Sequence, residues 1–246
     1  MTSKIEVPKP LKLDGTFNTR DLGGYPSASG KITQTHRLLR SDGLHQLSPK
    51  DQQTLYDYGV RKVIDLRSKY ECEKNVSRMA EYRDVAYEHV PMLDRIQSDG
   101  FEAVFPSCMS EMYMALLAEY GAAVASALRA ILAEPMGCVL FHCTAGKDRT
   151  GVIAMLLLLL CGVPESIVIA DYAATQQNIA PAVDAQKKEL LEKGIAFPEH
   201  VFGSDPDQMK ITIDYLDHSC GGAEKHIRTI GLDDLEIAAL RDKLLQ

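Results

Sequence analysis

Residues 138–163 place a short apolar run, a polar decapeptide and a long apolar run in succession, and that order constrains the fold more than any other part of the chain. Cys138-Val139-Leu140-Phe141 has the length of a buried strand, and the run from Val152 to Val163 has that of a buried helix. The connection between them is His142-Cys143-Thr144-Ala145-Gly146-Lys147-Asp148-Arg149-Thr150-Gly151. In a strand, loop and helix of this kind, successive backbone N–H groups curl around one point, and the positive end of the helix dipole faces the same point. A phosphate-sized anion is expected there, cradled by the successive N–H groups from Thr144 through Ala145, Gly146 and Lys147 to Arg149.

Cys143 stands at the start of that cradle. Amide dipoles and a helix N-terminus favour a thiolate over a thiol, so anion site and sulfur nucleophile coincide. Arg149, six residues on, offers a planar fork that holds two oxygens of a tetrahedral anion and stabilises charge moving onto them. A lysine has no such geometry. Thr150 is placed either to hydrogen-bond the sulfur or to cap the helix. His142 precedes the cysteine in a strand, so its side chain points the other way and is expected to order the loop rather than act as a base. The spacing of cysteine, five residues and arginine recurs at Cys72 to Arg78, but without a glycine, and Glu71 and Glu73 flank that sulfur. Both carboxylates disfavour a thiolate and a bound phosphate, so Cys72 reads as structural.

The loop resembles the signature of cysteine-dependent protein tyrosine phosphatases, in particular the bacterial group that carries Lys-Asp-Arg inside it. That group includes mycobacterial and listerial phosphatases acting on phosphotyrosine and phosphoinositides. Asn18-Thr19-Arg20-Asp21-Leu22-Gly23-Gly24-Tyr25 resembles the same group, as does Arg40-Ser41-Asp42 followed by Val63-Ile64-Asp65-Leu66-Arg67-Ser68. The likeness spans residues 14–70 and 137–175. It implies a tyrosine phosphatase-like α/β fold and hydrolysis of phosphate monoesters through a phosphocysteine. The substrate implied is phosphotyrosine in proteins, with phosphoserine, phosphothreonine and phosphoinositides beside it. A phosphatase directed primarily at phosphoinositides is the alternative within the enzyme class.

The general acid is less directly legible. Many phosphatases of the superfamily keep it on a mobile Trp-Pro-Asp loop, and this chain has no tryptophan. The resemblance suggests Asp148. An arginine neighbour and a helix N-terminus ordinarily favour the ionised carboxylate, which leaves a purely capping role as the alternative. Asp94 and Asp99 are the rivals. Lys147 adds positive charge at the floor or rim of the pocket, which suits multiply phosphorylated head groups, unless it is simply solvated. Asp65 is expected to steady the loop or its arginine. Arg20, Arg40, Asp42 and Arg67 belong near the same sheet edge, either at the pocket or in structural ion pairs.

Composition narrows the class. At 246 residues and 46% hydrophobic, the chain buries roughly three quarters of its unfolded surface, enough for one sizeable core, and residues 1–246 are read as one catalytic domain. A net charge of −7 and a pI of about 5.5 leave no broad basic surface for nucleic acid or anionic membranes. The partner expected is a phosphorylated protein or phosphoinositide. Six cysteines without paired spacing, several in apolar runs, fit a reducing compartment. The N-terminal decapeptide lacks an apolar secretory core and no apolar run reaches a membrane span, so a cytoplasmic protein is expected, with export lacking a recognisable signal as an alternative.

Strands alternate with helices up to the loop, predicting a mostly parallel sheet with helices on both faces and the site at the strands' carboxyl ends. A first short strand precedes Gly23-Gly24, a second covers 37–41, a third 60–66 and a fourth 87–92. Ser48-Pro49 opens a helix that stops at Gly59. Apolar residues at helical spacing over 107–133 predict one helix, bent near Gly121, serving either as core packing or as part of a lid. After Pro164 the pattern is all helical: 165–174, 183–193, 206–217 and a last helix from Asp233.

Other chemistries fit poorly. A nucleotide P-loop needs glycine where Phe141 stands and Ser or Thr where Asp148 stands. His36, His45 and His89 lack metal-site spacing, and the proposed chemistry needs neither metal nor cofactor. Arsenate reduction requires resolving cysteines, for which Cys138 alone is a thin basis. A non-catalytic phosphotyrosine-binding module would keep the cradle but lose nucleophile or acid, and both remain.

Overall fold

The computed structural model describes residues 7–93, 106–192, 194 and 197–245. Its centre is a five-stranded sheet of β1 (Arg20–Asp21), β2 (Leu38–Ser41), β3 (Val60–Asp65), β4 (Ala86–His89) and β5 (Cys138–His142), in the order β1-β2-β5-β3-β4. Only β1 runs antiparallel; the other pairings are parallel. Alternation assigns the two faces. Val139 and Phe141 of β5, Leu38 of β2 and Ile64 of β3 enter the larger core, while Cys138, Leu140, Leu39 and Val63 enter the smaller one on the opposite face.

The smaller core is covered by α1 (Pro49–Tyr58), whose ends follow from its sequence. Ser48 and Asp51 form a capping box, Pro49 occupies the first turn, and Gly59 takes a left-handed φ of 106° that closes the helix. A shorter helix, α2 (Lys69–Lys74), starts with the same device, a capping box between Ser68 and Glu71.

The remaining helices are α3 (Met109–Glu119), α4 (Gly121–Leu132), α5 (Arg149–Leu160), α6 (Glu165–Asn178), α7 (Ala180–Glu192), α8 (Pro206–Cys220), α9 (Ala223–Thr229) and α10 (Asp234–Leu244), and all of them except α7 contribute residues to the larger core. Every residue of α5 except Leu159 is buried, as expected of a helix apolar on all sides. No single helix among the described residues is long and apolar enough to cross a membrane.

Two expectations need correction. The single helix over 107–133 is two helices, α3 and α4, at 79° to one another. Gly121 permits the corner, because a Cβ there would lie 2.8 Å from Ile230 Cγ2. The fourth strand is shorter than 87–92, although Val90 and Met92 still donate to the carbonyls of Asp65 and Leu66 as the chain leaves β4. The short helix α9 has no counterpart in the sequence reading.

Candidate active site

The loop 143–148 leaves the carboxyl end of β5, flanked by parallel neighbours: His142 stands in register with Ser41 of β2 and Asp65 of β3. Its carbonyls are held from outside. Leu66 N donates to His142 O at 2.8 Å, and Gly43 N to Thr144 O at 2.9 Å. Asn18 Nδ2 donates to the carbonyls of Ala145 and Gly146 at 3.1 and 3.2 Å, and an Arg40 amino group reaches Gly146 O at 2.7 Å. His142 Nδ1 donates to Cys143 O at 3.0 Å. In a trans peptide the N–H points opposite to the C=O, so tying the carbonyls outward turns the following amides inward. The N–H groups of Thr144 to Asp148 make no hydrogen bond to described residues. The loop is thus shaped from behind, with its own amides left unpaired among the described residues.

Gly146 shows how tightly. Its φ is 65°, and a Cβ there would lie 2.5 Å from Ser41 O. Neither the conformation nor the approach tolerates a side chain.

Cys143 is buried at the base of this loop, and Arg149 opens α5, 7% exposed. The arginine is aimed by Glu71. Its two amino groups donate to Glu71 Oε2 at 2.6 Å and Oε1 at 2.9 Å, and the Thr144 hydroxyl donates to Oε1 as well. Oε2 also accepts from Ser68 N at 2.8 Å, so the capping box of α2 fixes the carboxylate that fixes the arginine. Burial pushes the Glu71 carboxyl up, but the Arg149 guanidinium outweighs it and brings it down to about 2. A carboxyl depressed on folding contributes stability above its unfolded value of about 4.3, and that contribution is lost as pH falls from there towards 2. Between those limits the urea midpoint is expected to fall more steeply for the native chain than for Glu71→Gln. Parallel curves would contradict the pairing.

Asp65 does not touch Arg149. It receives Arg67 through Nε at 2.9 Å and an amino group at 2.7 Å, and the Tyr87 hydroxyl at 2.7 Å. His142 Nε2 lies 3.4 Å away. Burial would raise Asp65, but His142 and Arg67 hold it well below the usual carboxylate range. Asp65 therefore lies against His142, whose other nitrogen holds Cys143 O, while Nε2 itself makes no hydrogen bond to described residues.

Lys147 is 1% exposed, and its ammonium donates to the carbonyls of Val201 at 2.6 Å and Gly203 at 2.9 Å. It is not solvated; it ties the loop to the segment before α8. Asp148 is the N-cap residue of α5 by position, but its side chain makes no capping bond. Its Oδ1 accepts the Tyr113 hydroxyl at 2.6 Å and lies 3.4 Å from Lys147 Nζ. Thr150 is fully buried and its hydroxyl has no hydrogen-bond partner among the described residues. Asp94 and Asp99 lie outside the described residues.

The other charged residues near the sheet edge form a support behind the loop. Asp171 of α6 pairs with Arg20 Nε at 3.0 Å, with Arg40, and with the Tyr25 hydroxyl at 2.9 Å. Asp42 accepts Phe17 N and Asn18 N at 2.9 and 3.0 Å, which aims Asn18 at the loop. Glu71, Asn18, Tyr113 and Asp171 were missed in the sequence. Glu71 left a local signal, the Ser-x-x-Glu capping pattern at Ser68, and Asn18 opens the segment 18–25 that carries part of the resemblance. Cys72 is off the site, and burial with Asp65 nearby pushes its thiol up to about 11. A groove of about 590 Å³ lined by His45, Lys74, Asn75, Ser77, Arg78 and Glu81 opens on the side held by Gly43 and α2; the loop itself does not line it. Among the described residues no three His, Cys, Asp or Glu side chains converge as metal ligands would.

A mostly parallel sheet thus carries a buried cysteine and an arginine on one loop at the carboxyl end of its central strand. The chain belongs to the tyrosine phosphatase family, which it matches over residues 11–246. It is 29% identical to a tyrosine-protein phosphatase of Nostoc commune, over 90% of this chain and 78% of that one. It is 24% identical to the triple specificity protein phosphatase PtpB of Mycobacterium tuberculosis, over 95% of this chain and 98% of the relative. Among solved structures, Pseudomonas aeruginosa TpbA aligns at 16% identity with a TM-score of 0.40, covering 89% of this chain and 94% of that one.

Proposed function

We propose that this phosphatase hydrolyses phosphotyrosine in proteins through a phosphocysteine on Cys143. The observation that supports this reading most is the loop whose carbonyls from Cys143 to Gly146 are each held from outside, since the amides that follow them are left to face the sulfur. A phosphate ester docks with three oxygens on those amides and on the edge of Arg149 that Glu71 leaves free. The Cys143 thiolate gives its electron pair to phosphorus as the ester P–O bond breaks. The pair of that bond goes to the departing phenolic oxygen, which takes a proton from Asp148. Water then attacks phosphorus and loses its proton to Asp148, while the P–S electrons return to sulfur. Thr150, buried and unpartnered among the described residues, is the hydroxyl we assign to the departing thiolate. Arg149 and the amides stabilise the equatorial oxygens in both steps. Activity on phosphoserine, phosphothreonine and phosphoinositides belongs to the same reading, and the triple-specificity name of the mycobacterial relative supports a range wider than phosphotyrosine.

Rapid-quench labelling tests the scheme. A tyrosine-phosphorylated peptide is expected to leave one phosphate on the enzyme, and peptide mass spectrometry is expected to place it on Cys143. Cys143→Ser is expected to trap none. Label on another residue, or turnover retained in that variant, would refute it.

A further inference from the structure

The structure assigns Tyr113, backed by Tyr172, as the positioning residue that aims Asp148 at the leaving group, an inference resting on the acid role proposed for Asp148. Tyr113 stands on α3 and Tyr172 on α6, 0% and 1% exposed. Their rings meet edge to face with centroids 5.8 Å apart, and their hydroxyl oxygens lie 2.7 Å from one another. Tyr113 donates its only proton to Asp148 Oδ1 at 2.6 Å. The hydrogen bond between the tyrosines must then be donated by Tyr172, which fixes the chain as Tyr172 to Tyr113 to Asp148. Burial raises Tyr113 well above the ordinary phenol range, so it stays a neutral donor.

The loading of the carboxylate is one-sided. Tyr113 sits on Oδ1 and Lys147 Nζ lies nearest the same oxygen, while Oδ2 has no hydrogen bond among the described residues. A proton on this carboxyl therefore belongs on Oδ2, the oxygen left open on a side chain 23% exposed. The capping alternative fails for the same reason, because the tyrosine holds the side chain away from the amides of α5. Two buried hydroxyls cost stability unless paired, and these two are paired in a line that ends at the loop. Helix α3 thus supplies a contact to the acid, a role distinct from core packing and from a lid.

The test is the leaving-group dependence of Tyr113→Phe, read beside Asp148→Asn. For Tyr113→Phe, kcat/KM is expected to fall about tenfold on phenyl phosphate and less than about threefold on p-nitrophenyl phosphate, whose anion leaves with little need of a proton. KM is expected to stay unchanged. Asp148→Asn is expected to steepen the same dependence further, and the double variant to match it. An equal loss on both esters, or none, with Asp148→Asn still steep, overturns the tyrosine's role alone. A flat dependence in Asp148→Asn overturns the acid role and this inference with it. Tyr172→Phe keeps the Tyr113 hydroxyl but removes its backing, and the same trend at smaller size is expected. If Tyr113→Phe does not fold, an unchanged slope in Tyr172→Phe counts against the chain.

Discussion

Arg149→Lys is expected to lower kcat/KM on an aryl phosphate by about 10³-fold with little change in the folded spectrum. The guanidinium gives both amino groups to Glu71 at 2.6 and 2.9 Å and still has N–H groups to offer a phosphate. An ammonium has three protons on one atom and cannot serve a bidentate carboxylate and two phosphate oxygens from one position. It would also leave Glu71 partly unpaired beside an incoming dianion, so attraction is lost and repulsion gained together. Steady-state kinetics and circular dichroism check this. A loss under about fivefold would mean that the amides alone carry the transition state.

Asp171→Asn is expected to be the most destabilising change of a single side chain in the support behind the loop. Asp171 is buried between Arg20 and Arg40, themselves 0% and 1% exposed, and is the carboxylate that both guanidinium groups share. Burial alone would raise its carboxyl, and the two arginines bring it down instead. Removing one partner of a buried ion pair costs about 3–5 kcal/mol, because the remaining charge stays desolvated. In a chain of this size each kcal/mol moves Tm by roughly 2–4 °C, so a fall on the order of 10 °C is expected. Activity should fall with it, since Arg40 holds Gly146 O. A melting curve within about 2 °C of the native one would show that the arginines do not depend on this carboxylate.

These two residues also mark where sequence reading stops. Arg149 is visible because its partners in function are six residues away and share a loop with it. Asp171 is not, because Arg20 and Arg40 lie 151 and 131 residues distant and nothing local distinguishes it from a surface aspartate on a helix. Glu71 is the instructive failure. Its charge argues against a nucleophile at Cys72, yet the same charge pairs with Arg149, 78 residues away. The alternation of strands and helices, the caps of α1 and the position of Cys143 at the end of β5 all follow from patterns within about fifteen residues. The bend at Gly121 is legible as well, but not its sharpness of 79°, which goes with Ile230 packing where a side chain on Gly121 would stand.

The backward tethering of the loop carries a consequence for the order in which the molecule becomes competent. Its anchors, Asn18, Arg40, Gly43, Leu66 and the carbonyls of Val201 and Gly203, come from segments that nearly span the described chain. A nascent or clipped polypeptide can therefore carry the whole decapeptide, sulfur included, and still lack a formed receptor for phosphate. Competence is expected only once these long-range contacts have closed.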